Sequence, residues 1–167
     1  VLKKEGNLIL LVGKTFGHLS QSIFLEEIYS INEGPPPEVN LLNEKNNGDF
    51  ILKLIKNNLV KSVHDISSGG LIIALAEMSL NSNYGIKIEK PKKLSNLFEY
   101  FFGEDQSRYL IEIEKNDLNK VQQLFKDDNI FQETIGIVQK DNFELPGELK
   151  MSIKDLFKIN NKWYYDY

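Results

Sequence analysis

The chain has 167 residues and a formal net charge of −4, which argues against a nucleic-acid-binding face. It has no cysteine and only two histidines, far apart in sequence, so disulfides, thiolate metal sites and His-rich metal clusters are excluded. A content of 41% hydrophobic and 26% charged residues is that of a globular domain with its own core, and no apolar run approaches the length of a membrane span. The expectation is one domain over residues 1–167, cytoplasmic, with neither membrane nor nucleic acid as a partner. The chain opens on Val1 and soon enters a strand, so it is expected to be a piece of a larger protein, although processing would give the same start.

Asn7 to Gly13 is a continuous apolar run and predicts a strand buried on both faces. A loop from Gly13 to His18 comes after it. Leu19, Ile23, Phe24 and Ile28 then recur with a helical period, predicting a helix from Leu19 to Tyr29 capped by Ser20 or Ser22. Glu33-Gly34-Pro35-Pro36-Pro37-Glu38 can be neither helix nor central strand and reads as an extended connector. Asn40 to Asn57 predicts a second helix with Leu41, Leu42, Phe50, Leu54 and Ile55 as its core stripe and Asn46 to Asp49 loosening its middle.

Val63 to Ile66 reads as the end of a short buried strand, Ser67 to Gly70 as a small-residue turn, and Leu71 to Leu80 as a helix without a polar face, hence buried. Tyr84 to Glu89 predicts a strand stopped by Pro91, with Lys87, Lys90, Lys92 and Lys93 forming a solvated edge. A short helix or loop with Leu97, Phe98 and Phe101 inward comes next. The expected remainder is a strand at Tyr109–Glu114, an amphipathic helix at Asp117–Asp127 and a strand at Phe131–Val138. Asn142–Leu145 should be a short strand paired to it, succeeded by a turn at Leu145–Glu148 and a helix from Ser152 to Asn160. Trp163, Tyr164 and Tyr165 are expected to dock back as an aromatic clasp. This order predicts an α+β fold, a mixed sheet covered by helices, and not a regular parallel doubly wound one.

Three stretches could carry function. At the strand–turn–helix of residues 62–80, unpaired N–H groups at a helix N-terminus favour anions, which singles out His64, Asp65, Ser67 and the Gly69 and Gly70 amides. The bland alternative is that a side-chain oxygen caps the helix and the glycines only make the turn. In the loop after the first strand, Gly13, Lys14, Thr15 and Gly17 could wrap a phosphate or could simply connect two elements. In the third, Glu104, Asp105, Gln106, Ser107 and Arg108 lie at the mouth of a strand. They could hold Mg²⁺ or a phosphate, or form an internal salt bridge. Arg108 is the only arginine beside 19 lysines, so its planar fork is a reason to single it out.

His64-Asp65-Ile66-Ser67-Ser68-Gly69-Gly70-Leu71, continuing to Ala74-Leu75-Ala76-Glu77-Met78, resembles a signature of the phosphoribosylformylglycinamidine synthase family. Phe101-Phe102-Gly103-Glu104-Asp105-Gln106-Ser107-Arg108 is similar to a second, and Leu11 to Ser22 to a third. The chain departs from the family at Ser68, where many members carry Asp, and at Ser20, where Gly is usual.

The resemblance implies the C-terminal domain of the synthetase subunit, with the three-layer fold of the aminoimidazole ribonucleotide synthetase superfamily. The family's reaction is ATP-dependent amidation of formylglycinamide ribonucleotide in purine biosynthesis, with ammonia drawn from glutamine. By resemblance the full enzyme uses ATP and Mg²⁺, and neither is expected to be tightly bound to this fragment. The implied partners are the remaining domains, a glutamine amidotransferase subunit and a small accessory subunit. The implied phosphate or nucleotide contacts are His64, Asp65, Ser67, Gly69, Gly70, Glu104, Asp105, Gln106 and Arg108, with no catalytic residue and no metal ligand assigned. The fragment is expected to be inactive alone. The alternative is a non-catalytic structural or interface domain of a related synthetase.

Overall fold

In the computed structural model, which describes residues 1–80, 82–91 and 96–165 but not the side chains of Trp163 and Tyr165, β1 (Leu8–Val12) is the strand on which both cores are built. Its side chains alternate. Ile9 and Leu11 enter one apolar cluster and Leu10 and Val12 the other, and all four are fully buried. Burial of each such side chain stabilises the fold by about 1.5–3 kcal/mol.

On one side β1 pairs antiparallel with β4 (Tyr109–Ile113). On the other it pairs antiparallel with β5 (Gln132–Lys140), with a bulge between Ile9 and Leu10. The remaining strands are β2 (Ser62–Asp65), β3 (Tyr84–Ile88), β6 (Asn142–Leu145) and β7 (Leu149–Ser152). The seven strands run in the order β2-β4-β1-β5-β3-β6-β7, and β3–β6 is the parallel pair that makes the sheet mixed.

Helices cover both faces, as the expected α+β, three-layer arrangement requires. The helices are α1 (Ile23–Tyr29), α2 (Leu41–Lys56), α3 (Gly70–Leu80), α4 (Leu97–Phe102), α5 (Leu118–Asp127), α6 (Ile153–Asn160) and α7 (Lys162–Tyr165). Leu71, Leu75 and Met78 of α3, Tyr100 and Phe101 of α4 and Leu156 of α6 pack on one face. Phe50, Ile51 and Leu54 of α2 with Val121 and Phe125 of α5 pack on the other. No helix among the described residues is long and apolar enough to cross a membrane.

Several local expectations are corrected. β2 is an edge strand and only partly buried, because among the described residues no strand pairs with its outer side. α1 begins at Ile23, since Gln21 takes a positive φ that interrupts the helix and Ser22 caps it through Leu25 N–H; none of its residues is fully buried. In α2 the core stripe is Asn47, Phe50, Ile51 and Leu54, whereas Leu41, Leu42 and Ile55 are exposed, and the helix runs unbroken through Asn46–Asp49. Phe98 is exposed, although its ring stacks with those of Phe24 and Phe102.

β6 pairs with β3 and β7, not with β5, and β7 was not anticipated. Lys87 and Lys90 are exposed, but on an interior strand and just beyond it, and Lys90 pairs with Glu148 at 2.7 Å. Lys92 and Lys93 lie outside the described residues. Of the expected aromatic clasp, Tyr164 is exposed, while the side chains of Trp163 and Tyr165 lie outside the described part of the chain.

Candidate functional site

Three connections meet at one end of the sheet: the β1–α1 loop, the β2–α3 bend and the α4–β4 loop. β2 pairs with β4, and Ile66 N–H donates to Arg108 O at 3.0 Å just beyond the last register pair, Asp65 with Tyr109. This places the His64–Gly70 bend directly against the acidic loop.

Glu104 links the two and reaches the third. Its Oε1 accepts from Gly69 N–H at 2.7 Å and from Ile23 N–H at 2.9 Å, while its own N–H donates to His18 O at 2.9 Å. The N–H at the start of α3 is therefore capped by a carboxylate from another loop, not by Asp65 or Ser67. Gly70 is needed here: its φ is +70°, and a Cβ would stand 2.7 Å from Gly103 O.

Asp105 fills the β1–α1 loop. Its carboxylate accepts from the N–H groups of Phe16 and Gly17 at 2.9 Å each and of His18 at 3.2 Å. Arg108, 1% exposed, donates through Nε to Asp105 O at 3.1 Å, through Nη1 to Thr15 Oγ1 at 3.1 Å and through Nη2 to Gly103 O at 2.5 Å. Its Nη1 lies 3.8 Å from Asp105 Oδ2. Burial pushes the guanidinium pKa down, against the raising fields of Asp105, Tyr100 and Glu104.

Of the residues singled out from sequence, Gly69, Gly70, Glu104, Asp105 and Arg108 thus form one bonded corner. Asp65, Ser67 and Gln106 keep exposed side chains, and that of His64 is half-buried. His64 Nδ1 lies 2.5 Å from Asp65 O, and Nε2 lies 3.4 Å from Glu77 Oε2.

This corner does not fit a bound phosphate or Mg²⁺ as it stands. The backbone donors that would cradle a phosphate already hold Asp105, and Arg108 has no exposed nitrogen to offer. Among the described residues no group of three or more His, Asp or Glu is placed to hold a metal ion.

Beside the corner lies a cavity of about 860 Å³, bounded by residues 13–20, the N-terminal half of α2, residues 105–107 and residues 128–131. The His64–Gly70 bend does not line it. Sequence reasoning missed the α2 contribution. Asn47 Nδ2 donates to Ser107 O at 2.8 Å, and Glu44 accepts from the hydroxyls of Ser107 and, at 3.4 Å, Tyr109. The signal was present: Asn40, Asn43 and Asn47 are spaced to share one helix face.

A mixed sheet covered on both faces, with its connecting loops cross-linked at one end, places the chain among three-layer α+β domains whose site-forming loops gather at a sheet end. Residues 4–145 match the family described as AIR synthase related protein, C-terminal domain, and the chain belongs to that family. It is 45% identical over 166 residues to the phosphoribosylformylglycinamidine synthase subunit PurL of Pelagibacter ubique, covering 99% of this chain and 23% of that relative. The chain therefore spans less than a quarter of that relative's length.

Among solved structures, T. maritima PurL complexed with FGAR superposes with a TM-score of 0.72 at 15% identity, over 92% of this chain and 28% of that one. T. maritima PurL complexed with ATP gives 0.68 at 15% identity, over 93% and 26%. At that identity the likeness is one of fold.

Proposed function

We propose that residues 1–167 form one domain of a phosphoribosylformylglycinamidine synthase, the C-terminal part of its synthetase subunit. The whole protein would use ATP and Mg²⁺ to activate the amide oxygen of formylglycinamide ribonucleotide. Ammonia from a glutamine amidotransferase subunit would then displace phosphate in a purine-pathway amidation, with a small accessory subunit completing the complex. The observation that carries this reading is the end-to-end match to a relative of that name.

The bonded corner gives this domain a defined part. Glu104, Asp105, Arg108 and the Gly69–Gly70 turn act as positioning groups. They hold the exposed Asp65, Ser67 and Gln106, with the half-buried His64, where a neighbouring domain of the same polypeptide would meet them. ATP and Mg²⁺ would be held mainly by that neighbour, since the donors of this corner are already engaged. In such a site catalysis comes from positioning and from neutralising charge on the transferred phosphoryl group. The chain alone is expected to be inactive.

The test replaces the corresponding quarter of the Pelagibacter ubique relative by this chain and measures ammonia-driven ADP release with formylglycinamide ribonucleotide. Retained turnover is expected. A folded chimera without amidation, in an assay where the parent relative turns over, would reject the reading.

A further inference from the structure

The helical layer of α3, α4 and α6 leaves apolar groups bare on its outer face. α3 has no polar face, yet Ile73, near its middle, is 42% exposed. Its one charge, Glu77, leans on His64 at 3.4 Å. The start of α3 abuts the end of α4, where a Cβ on Gly70 would stand 2.8 Å from the Phe102 carbonyl carbon. α1 packs on α4 in turn. Phe24 stacks on Phe98 and Phe102 with ring centroids 5.5 and 4.4 Å apart, and Phe98 stays 54% exposed. The end of α3 meets α6, where Leu80 lines a surface hollow with Ile153, Lys154 and Phe157. Phe157 is 46% exposed. Uncovered apolar groups at both ends and the middle of one layer are more than singly scattered surface residues.

The two ends of this layer differ in charge. Residues 15–44 hold five glutamates and neither lysine nor arginine, in a chain with 20 such cations. Glu26 and Glu27 of α1 are exposed and make no ion pair among the described residues. Residues 149–165 hold four lysines against one carboxylate, Asp155, which is engaged by Ser152. Lys154 and Lys158 of α6 are exposed and likewise make no ion pair among the described residues. An anionic surface would be repelled at the α1 end, and a basic one at the α6 end. A second copy of the chain matches both.

We propose that this face pairs with the same face of a second copy, α3 lying antiparallel to its counterpart about a two-fold axis near Ile73. Such an axis sets the start of one α3 beside the end of the other. The acidic α1 side of each copy then faces the basic α6 of the other, twice over, and the contact closes at two copies. The pairing stands on exposure and charge placement and not on the synthetase reading, so the two fail separately.

Sedimentation equilibrium of the 167-residue chain tests it. A dimer is expected at on the order of 100 μM, weakening as salt is added. The double variants Glu26→Lys/Glu27→Lys and Lys154→Glu/Lys158→Glu each set like charges together and should each weaken self-association at least about tenfold. Mixed one to one, they should associate as the parent does, because each reversed face then meets an opposite one. Ile73→Asp should abolish association. All these positions are exposed, so urea midpoints should stay near the parental value, which separates lost pairing from lost fold. A parent that stays monomeric, whether or not it takes up a leucine–lysine amphipathic peptide, would overturn the pairing. So would assembly that grows beyond two copies, or a mixture that associates no more tightly than its components.

Discussion

Glu104 Oε1 stands 2.7 Å from the backbone nitrogen of Gly69, a residue 35 positions earlier in the chain, and the same oxygen accepts from Ile23 N–H at 2.9 Å. One carboxylate oxygen therefore satisfies the starts of two helices, α3 and α1. Glu104→Ala leaves both N–H groups without that acceptor and is expected to lower stability by about 1.5–3 kcal/mol. Glu104→Gln keeps one carbonyl-type oxygen and should cost less. Urea unfolding of the three proteins checks this, and equal midpoints would mean that the bond does not hold the bend.

Arg108 tests whether the corner is sealed from within. Its three nitrogens meet Gly103 O, Thr15 Oγ1 and Asp105 O, a pattern that lysine's single ammonium cannot reproduce. Arg108→Lys keeps the charge, yet should destabilise by about 2–4 kcal/mol because buried acceptors lose their donors. The denaturation midpoint should fall with an unchanged m-value. A variant of parental stability would mean that the guanidinium reaches outward to a ligand instead.

The apolar run of β1 and the all-round hydrophobicity of α3 were legible in sequence because burial alone decides them. The amphipathic period of α5 was legible for the same reason, with Val121 and Phe125 buried as spaced. In the stripe of α2 the expected Phe50 and Leu54 face the core, but Ile51, one turn before the expected Ile55, completes it. Asn47 is buried by a bond to Ser107, 60 residues on, which no local pattern reports. The loops of all three candidate stretches lie together at one end of the sheet, cross-linked through Glu104 and Asp105. What local reading could not supply was direction. Asp105 read as a carboxylate facing a ligand, but it faces the amides of residues 16–18. The β6–β7 hairpin was missed because Leu149–Ser152 is short and largely solvated, so it carries little alternation.

Glu112 supplies a second carboxylate test, remote from the corner. It has no exposure, yet its oxygens accept from Lys3 N–H at 3.1 and 3.0 Å, Lys4 N–H at 3.2 Å, Asn7 Nδ2 at 2.6 Å and the Ser62 hydroxyl at 2.9 Å. It ties the N-terminal segment and β2 to β4. In Glu112→Gln an NH₂ group must face these donors, so a loss of about 1.5–3 kcal/mol is expected. Amide exchange at Lys3 and Lys4 should also accelerate well before global unfolding. Unchanged exchange at those two amides would show that the segment is held by other contacts.

Tyr100 makes stability depend on alkaline pH. Its ring is buried and its hydroxyl donates to Glu133 Oε2 at 3.0 Å. Burial first, and the Glu133 carboxylate second, raise its pKa well above the ordinary value of 10.0, although Arg108 acts the other way. In the unfolded chain the phenol ionises near its ordinary value, while in the folded protein it stays protonated. The folded state thus binds more protons once the pH passes 10.0, and stability must fall with rising pH from there. Below that pH the contribution is fully present. Tyr109, raised by burial and by Glu44, adds a second contribution of the same sign. The urea midpoint should therefore be flat up to about pH 9 and fall towards about pH 11. Tyr100→Phe should start lower, since Glu133 loses its donor, yet decline less steeply over the same window. Parallel slopes for the parent and Tyr100→Phe would show that the phenol titrates in the folded protein much as it does in the unfolded chain.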